Sequence, residues 1–425
     1  MLEEGESADK NEPADKQLEM LENVQFIYEL ALAQLELQVL GARFELTNGL
    51  RKFRLLGVED EERLRRRLAY FKAVRGEQTD YFQIIQRNRT RSVNQYLTHW
   101  IYPYKGKFHP QMIRALLNIL GLERGETVLD PFVGSGTTAV EAELLGINCV
   151  GIDVSPLCVL QTRVKTESVA VLPEIEEWRD EILKRTGVNL FNIENKSLDA
   201  MINSISNEKV RNFYKLAELV AISDSARRKK EFFSALRTNL DLMVSSVKDF
   251  VEVKESRNLE LGKVCVVEGD ARDLSLSVDS ESIDGIVTSP PYSIALDYVA
   301  NDAHALKALG SGSLGSGRGL GYSLSEIREK FMGLRGRGVA RIKLYNEDLR
   351  RSLEEMFRVL KPGKFAAVVV GNATYLGKEV KTVEFTINSA EAVGFRLVRN
   401  IDKIIFGLYN VMQKEKILIF TKEGA

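Results

Sequence analysis

The chain has 425 residues, 44% of them hydrophobic and 28% charged, with a formal net charge of −1. That balance excludes a chain disordered throughout, leaves room for one large domain with appendages or for two, and makes the whole molecule no magnet for nucleic acid. No apolar run nears the ~20 residues a membrane helix needs, and Cys149, Cys158 and Cys265 are too scattered for a disulfide scaffold or a zinc site. The expectation is a cytoplasmic protein with no membrane contact and no metal.

Residues 1–15 are polar and acidic, and disorder is expected there. From Leu18 to about Leu40, Leu18, Leu21, Val24, Tyr28, Ala31 and Leu35 recur at three- and four-residue steps, which predicts an amphipathic helix. Asn48-Gly49 and Gly57 break the chain, and a second helix is expected from about Asp60 to Val74. Residues 16–100 are thus expected to form a helical appendage.

Residues 101–425 change pattern. Short apolar runs at Thr127–Leu129, Cys149–Ile152, Val264–Val267, Ile286–Val287, Phe365–Val370 and Lys416–Phe420 alternate with helical segments. This predicts an α/β domain around a mostly parallel twisted sheet. Residues 170–260 lack a clear strand and read as a helical insertion, and 310–338 as a mobile glycine-serine loop.

Two motifs carry chemistry. In the first, the strand Val128-Leu129-Asp130 leads through Pro131, Phe132 and Val133 to Gly134, Ser135, Gly136, Thr137 and Thr138. Two glycines before a helix let the backbone approach a ligand that can use the helix's free N–H groups. Asp153 ends the next strand about twenty residues on, where a carboxylate can accept both ribose hydroxyls of a nucleoside cofactor. Ala139 stands where a dinucleotide fingerprint has its third glycine, a substitution such folds tolerate.

The second motif, Ser289-Pro290-Pro291-Tyr292, follows an apolar strand. Two prolines stiffen the chain and remove its donors, leaving carbonyl oxygens as acceptors beside a flat ring. Such a slot suits a planar group bearing an NH2.

Together these stretches resemble the S-adenosylmethionine-dependent amino methyltransferases, whose signatures are DPFxGSGTT and (Asp/Asn/Ser)-Pro-Pro-Tyr. The resemblance covers roughly residues 100–165 and 262–420, and implies a Rossmann-like methyltransferase domain with S-adenosylmethionine as cofactor. It also implies that Lys107, Phe108 and His109 form an upstream cofactor-contacting segment and that Asp270 and Ala271 meet the cofactor's adenine. Within the family, the Ser form is similar to cytosine-N4 methylases, and the Asn form to adenine and protein-glutamine methylases. None of the cysteines follows a proline, as cytosine-C5 chemistry commonly needs.

Ser289 and the Pro290 carbonyl are then expected to orient a cytosine amine, and Tyr292 to stack the base. The expected substrate is structured RNA, ribosomal RNA above all, with Arg335, Arg337 and Arg341 on phosphates. Arg63, Arg65, Arg66 and Arg67, and Arg87, Arg89 and Arg91, form two further basic clusters. Two alternatives stand beside this: a cytosine-N4 DNA methyltransferase of the restriction-modification type, and a non-catalytic RNA-binding or assembly protein that keeps the cofactor fold.

Overall fold

The structure, a computed structural model, describes residues 17–47, 51–87, 94–188, 195–292, 297–310, 323–406 and 412–424. The disorder expected of residues 1–15, the Asn48-Gly49 break, Arg89, Arg91 and residues 311–322 of the glycine-serine stretch fall outside them.

Residues 17–87 are not mainly helical. They run β1 (Gln17–Met20), α1 (Ile27–Val39), β2 (Arg43–Leu46), β3 (Lys52–Gly57), α2 (Glu61–Arg67), β4 (Phe71–Val74), β5 (Glu77–Gln78) and α3 (Asp80–Ile85). The strands form an antiparallel sheet in the order β2-β3-β1-β4-β5. The helix expected from Leu18 begins only at Ile27; Leu18 and Leu21 are buried, but from a strand and the turn after it. The helix expected to reach Val74 stops at Arg67. There the buried Glu36 carboxylate takes the N–H groups of Ala69 and Tyr70, each at 3.1 Å, which a continuing helix would have kept for its own carbonyls.

The rest of the chain starts with α4 (Pro110–Ile119), with proline at the one turn where its missing N–H costs nothing. β6 (Thr127–Asp130), α5 (Thr137–Leu144), β7 (Asn148–Asp153) and α6 (Pro156–Glu167) follow. Residues 172–256 hold α7 (Leu172–Val188), α8 (Asn195–Ser204), α9 (Glu208–Arg228) and α10 (Phe232–Ser256). Then come β8 (Val264–Glu268), β9 (Ile283–Thr288), α11 (Tyr298–Asn301), α12 (Ala303–Gly310), α13 (Leu324–Lys330) and α14 (Gly338–Val359). The chain closes with β10 (Leu360–Gly371), β11 (Ala373–Tyr375), β12 (Lys378–Val380), α15 (Thr382–Val393), β13 (Phe395–Phe406) and β14 (Met412–Lys422).

Seven strands make one sheet in the order β13-β14-β10-β9-β6-β7-β8. The five from β10 to β8 are parallel, whereas β14 is antiparallel to both its neighbours. This is a Rossmann-like α/β fold. Side chains alternate between two faces, as strand geometry requires. Val128, Val287, Val369 and Ile417 join the core under α1, α4, α5 and the five-stranded sheet. Leu129, Ile286, Val368 and Leu418 join the core under α14 and α15. A third core is built from α6 to α10, α12 and α13. Because the first core contains both sheets, residues 17–87 pack as part of the main body.

From β6 the chain passes to β7 and β8 on one side and to β9 and β10 on the other. In open α/β sheets the crevice beyond the strand ends at such a reversal is where ligands sit.

Candidate active site

Three strand ends meet at that crevice: β6 at Asp130, β7 at Asp153, and β9 just before Ser289. They border a cavity of about 630 Å3. Lys107, Phe108, His109, Pro131, Phe132, Gly134, Ser135, Thr137, Asp153, Asp270, Ala271 and all of Ser289, Pro290, Pro291 and Tyr292 line it. So one cavity takes both motifs.

Asp130, Gly136 and Thr138 are not in its lining. Asp130 is a pin. Its carboxylate accepts from Thr138 Oγ1 at 2.7 Å, Thr288 Oγ1 at 2.6 Å and the Phe132 N–H at 3.2 Å, tying the end of β6 to α5 and to β9. Burial raises its pKa to about 6 against those hydrogen bonds. The two glycines also differ. Both have positive φ, 50° at Gly134 and 78° at Gly136. A Cβ on Gly136 would strike Thr162 at 2.7 Å, a packing constraint, whereas one on Gly134 would enter the cavity wall 3.4 Å from Tyr104.

Asp153 holds the loop as well as facing the cavity. One oxygen accepts the Gly134 N–H and the other the Ser155 N–H, each at 2.9 Å. Burial lifts its pKa to about 6, opposed by those two amides. The Cys158 thiol also hydrogen-bonds this carboxylate, which still keeps acceptor capacity for a further donor. Asp270 is gripped by Arg272, whose Nε lies 2.8 Å from Oδ1 and 3.0 Å from Oδ2. Lys107 donates to the carbonyls of His99 (2.6 Å) and Asn94 (3.1 Å), and burial lowers its pKa to about 7. His109 caps α4 with its Nδ1 buried and unpartnered among the described residues. Burial, aided by Lys403 and Lys107, brings its pKa to about 4, so the ring is neutral at pH 7.

At the other motif, Ser289 Oγ donates to the Val369 carbonyl at 2.9 Å. With its hydrogen spent on β10, the oxygen offers the cavity lone pairs only. Tyr292 donates its hydroxyl to Glu415, which also takes Lys403. Glu415 and Lys403 line the cavity and had no signal in the sequence beyond two charges in apolar strands. The sequence also concealed an aromatic wall: Tyr104 stacks on Tyr298 (6.1 Å between centroids) and Tyr298 on Phe331 (6.4 Å), all three at the cavity.

The arginines do not form the expected patch. Arg335 donates to the buried Asp348, which also takes Arg272, and Arg341 donates to the Gly333 carbonyl. A buried carboxylate needs cations more than a loop needs free ones. Only Arg337 of the three is exposed. In the earlier cluster Arg63 pairs with Glu123, Arg65 with Glu77 and Arg66 with Glu62, while Arg67 is buried against Asn118 and Leu122. Arg87 pairs with Glu252.

A DNA methylase family model matches residues 46–162, which hold the glycine loop and Asp153. This segment is similar to the S-adenosylmethionine-dependent amino methyltransferases. The match starts inside the five-stranded sheet, upstream of the expected resemblance. Among relatives, the type II methyltransferase M.BsoBI of Geobacillus stearothermophilus is 32% identical over 34% of this chain and 26% of its own length. The type II methyltransferase M.MjaII of Methanocaldococcus jannaschii is 43% identical over 19% of this chain and 14% of its own. A tRNA (guanine(10)-N2)-dimethyltransferase of Methanothermobacter thermautotrophicus is 38% identical over 14% and 18%. The chain thus spans about a quarter or less of these relatives.

The family's cofactor is S-adenosylmethionine, and the residues present fit it. The Gly134 turn leaves open the space that a side chain would fill, Asp153 keeps acceptor capacity for hydroxyls, and Phe108, Phe132 and Ala271 offer apolar surface to a flat base. When bound, the cofactor supplies an electrophilic methyl group.

Proposed function

We propose that this protein transfers a methyl group from S-adenosylmethionine to the exocyclic N4 amine of cytosine in structured RNA, ribosomal RNA above all. The observation that carries the reading is the Ser289 hydroxyl, whose hydrogen is committed to Val369 at 2.9 Å. A cytosine amine is a weak nucleophile because its lone pair is delocalised into the ring. Acceptors for its two hydrogens, Ser289 Oγ and the Pro290 carbonyl, favour a pyramidal nitrogen and localise that pair. Tyr292 stacks the base, and the nucleotide enters flipped out of a helix or from a single-stranded loop. Ser289 orients the amine; the departing proton leaves to solvent.

RNA is favoured by how the basic residues are spent. Arg63, Arg65, Arg66, Arg335 and Arg341 are held by partners within the protein, so these clusters offer a naked duplex less charge for its phosphates. That suits a partner recognised by shape. A second reading, cytosine-N4 methylation of DNA, is favoured by the match of residues 46–162 to a DNA methylase family model.

The test offers methyl-labelled S-adenosylmethionine with DNA, bare RNA and intact ribosomal subunits, followed by mass spectrometry of the digested nucleosides. N4-methylated cytidine from RNA, most abundant from the subunits, is expected. N4-methyldeoxycytidine from DNA alone would reverse the substrate, and methyladenine from either would overturn the base.

A further inference from the structure

Lys403 sits in the cavity wall with no part in the chemistry above. It faces Glu415 across β13 and β14, and Glu415 in turn faces Gly371 on β10. Tyr292 packs on that row: a Cβ on Gly371 would stand 3.3 Å from its ring, and its hydroxyl donates to Glu415. Both oxygens of Glu415 are therefore in use, Oε1 by Tyr292 and Oε2 by Lys403. Lys403 is only 7% exposed, and among the described residues its ammonium donates to Glu415 alone. An ammonium has three hydrogens. A buried donor left without an acceptor is costly, and the open side of this one is the cavity.

The position is informative. Ser289 is anchored at Val369, two residues before Gly371 on β10, roughly 7 Å along the strand. A pyrimidine held by its amine at Ser289 and stacked on Tyr292 has the width to reach toward the Lys403–Glu415 row. Beside its amine, cytosine presents a ring nitrogen and then a carbonyl oxygen. Adenine presents a ring nitrogen and then C–H. The amine slot alone accepts either base; the next atom tells them apart.

We infer that Lys403, neutralised and aimed by Glu415, is the specificity-determining donor of the slot, and that it takes the 2-carbonyl oxygen of cytosine. This rests on the cytosine reading proposed above. A site built to hydrogen-bond a substrate group rejects the analogue that lacks it, because the site's own donor is then left unpaired.

The test pairs a protein change with a substrate change. A synthetic strand carries, at the methylated position found by nucleoside mapping, either cytosine or a carbon-linked 2-aminopyridine, which keeps the amine and the ring nitrogen and has C–H in place of the 2-carbonyl. Wild-type kcat/KM is expected to fall on the analogue by roughly tenfold or more, the loss of a charge-assisted hydrogen bond. Lys403→Met should start low and treat both strands alike, with S-adenosylmethionine affinity unchanged. Lys403→Arg, which keeps donors, should retain the preference. If Lys403→Met fails to fold because Glu415 is left unpaired, Lys403→Met/Glu415→Gln removes that charge and takes its place. Equal discrimination by wild type and the methionine variant, or no discrimination by wild type, overturns the inference. Label on adenine or guanine in the wild-type experiment, or no label at all, defeats the functional reading itself, whatever the lysine variants do.

Discussion

The two ends of the cavity are built by different means. At the cofactor end, backbone does most of the work. Gly134 and Gly136 turn left-handed, and Asp153 and Asp130 spend oxygens on amides and hydroxyls of the same short stretch and on Thr288 of the adjacent β9. At the amine end, side chains are held from far along the chain: Ser289 by Val369, and Tyr292 by Glu415 with Lys403 behind it. A site assembled locally is rigid as soon as its strands form, whereas one assembled at long range depends on the last two strands pairing in register. The two ends should therefore fail separately.

The largest expected effect tests the glycines against each other. Gly134→Val should abolish measurable S-adenosylmethionine binding in a protein that still folds, since its side chain enters the cavity wall. Gly136→Val should instead cost more stability than Gly134→Val, by about 1–3 kcal/mol from overpacking against Thr162, on top of the positive-φ strain that both positions share. Calorimetry and chemical denaturation of both variants would show it; equal melting with equal binding loss would erase the distinction.

Next comes the ring at the other end. Tyr292→Ala should lower kcat/KM by about 10–200-fold through loss of a base-stacking surface with cofactor affinity unaltered. Tyr292→Phe keeps the ring and loses only the hydroxyl that Glu415 orients, so its loss should be several-fold smaller. A phenylalanine variant as impaired as the alanine one would mean that the hydroxyl, not the ring, matters.

The smallest effect is on pH. Burial lifts the Asp153 pKa to about 6, and its ionised form is the better acceptor for a hydroxyl donor beyond the loop amides. S-adenosylmethionine affinity should therefore be level above neutrality and fall as pH drops through about 6, by at most tenfold per unit for one proton. A flat profile from pH 8 to 5 would remove Asp153 from cofactor binding.

How much of this was legible in the sequence follows the same division. The glycine loop, Asp153 and Ser289 to Tyr292 announce themselves because each is a few consecutive residues at a strand end, and all of Ser289 to Tyr292 reach the cavity. Lys403 and Glu415 stayed hidden, because only the pairing of β13 with β14 places them opposite one another. Asp130 was read as a ligand residue, but its bonds to Thr138, Thr288 and the Phe132 N–H make it a pin. Residues 17–87 were read as helical because Leu18, Leu21 and Val24 fall by chance at helical spacing and continue into the true helix at Ile27. Strands as short as four residues, such as β1 and β4, leave too little alternation to compete with that pattern. Arg335 and Arg341 looked free because their partners, Asp348 and the Gly333 carbonyl, become neighbours only when α14 packs.

The most direct measurement is calorimetric titration of S-adenosylmethionine into Asp153→Ala and Ser289→Ala, alongside single-turnover methyl transfer. Asp153→Ala should weaken cofactor binding by about 1–3 kcal/mol. Ser289→Ala should bind the cofactor as wild type does and transfer methyl about 10–100-fold more slowly. Wild-type cofactor affinity in a folded Asp153→Ala protein, or wild-type transfer by Ser289→Ala, would contradict the division of the cavity into a cofactor end and an amine end.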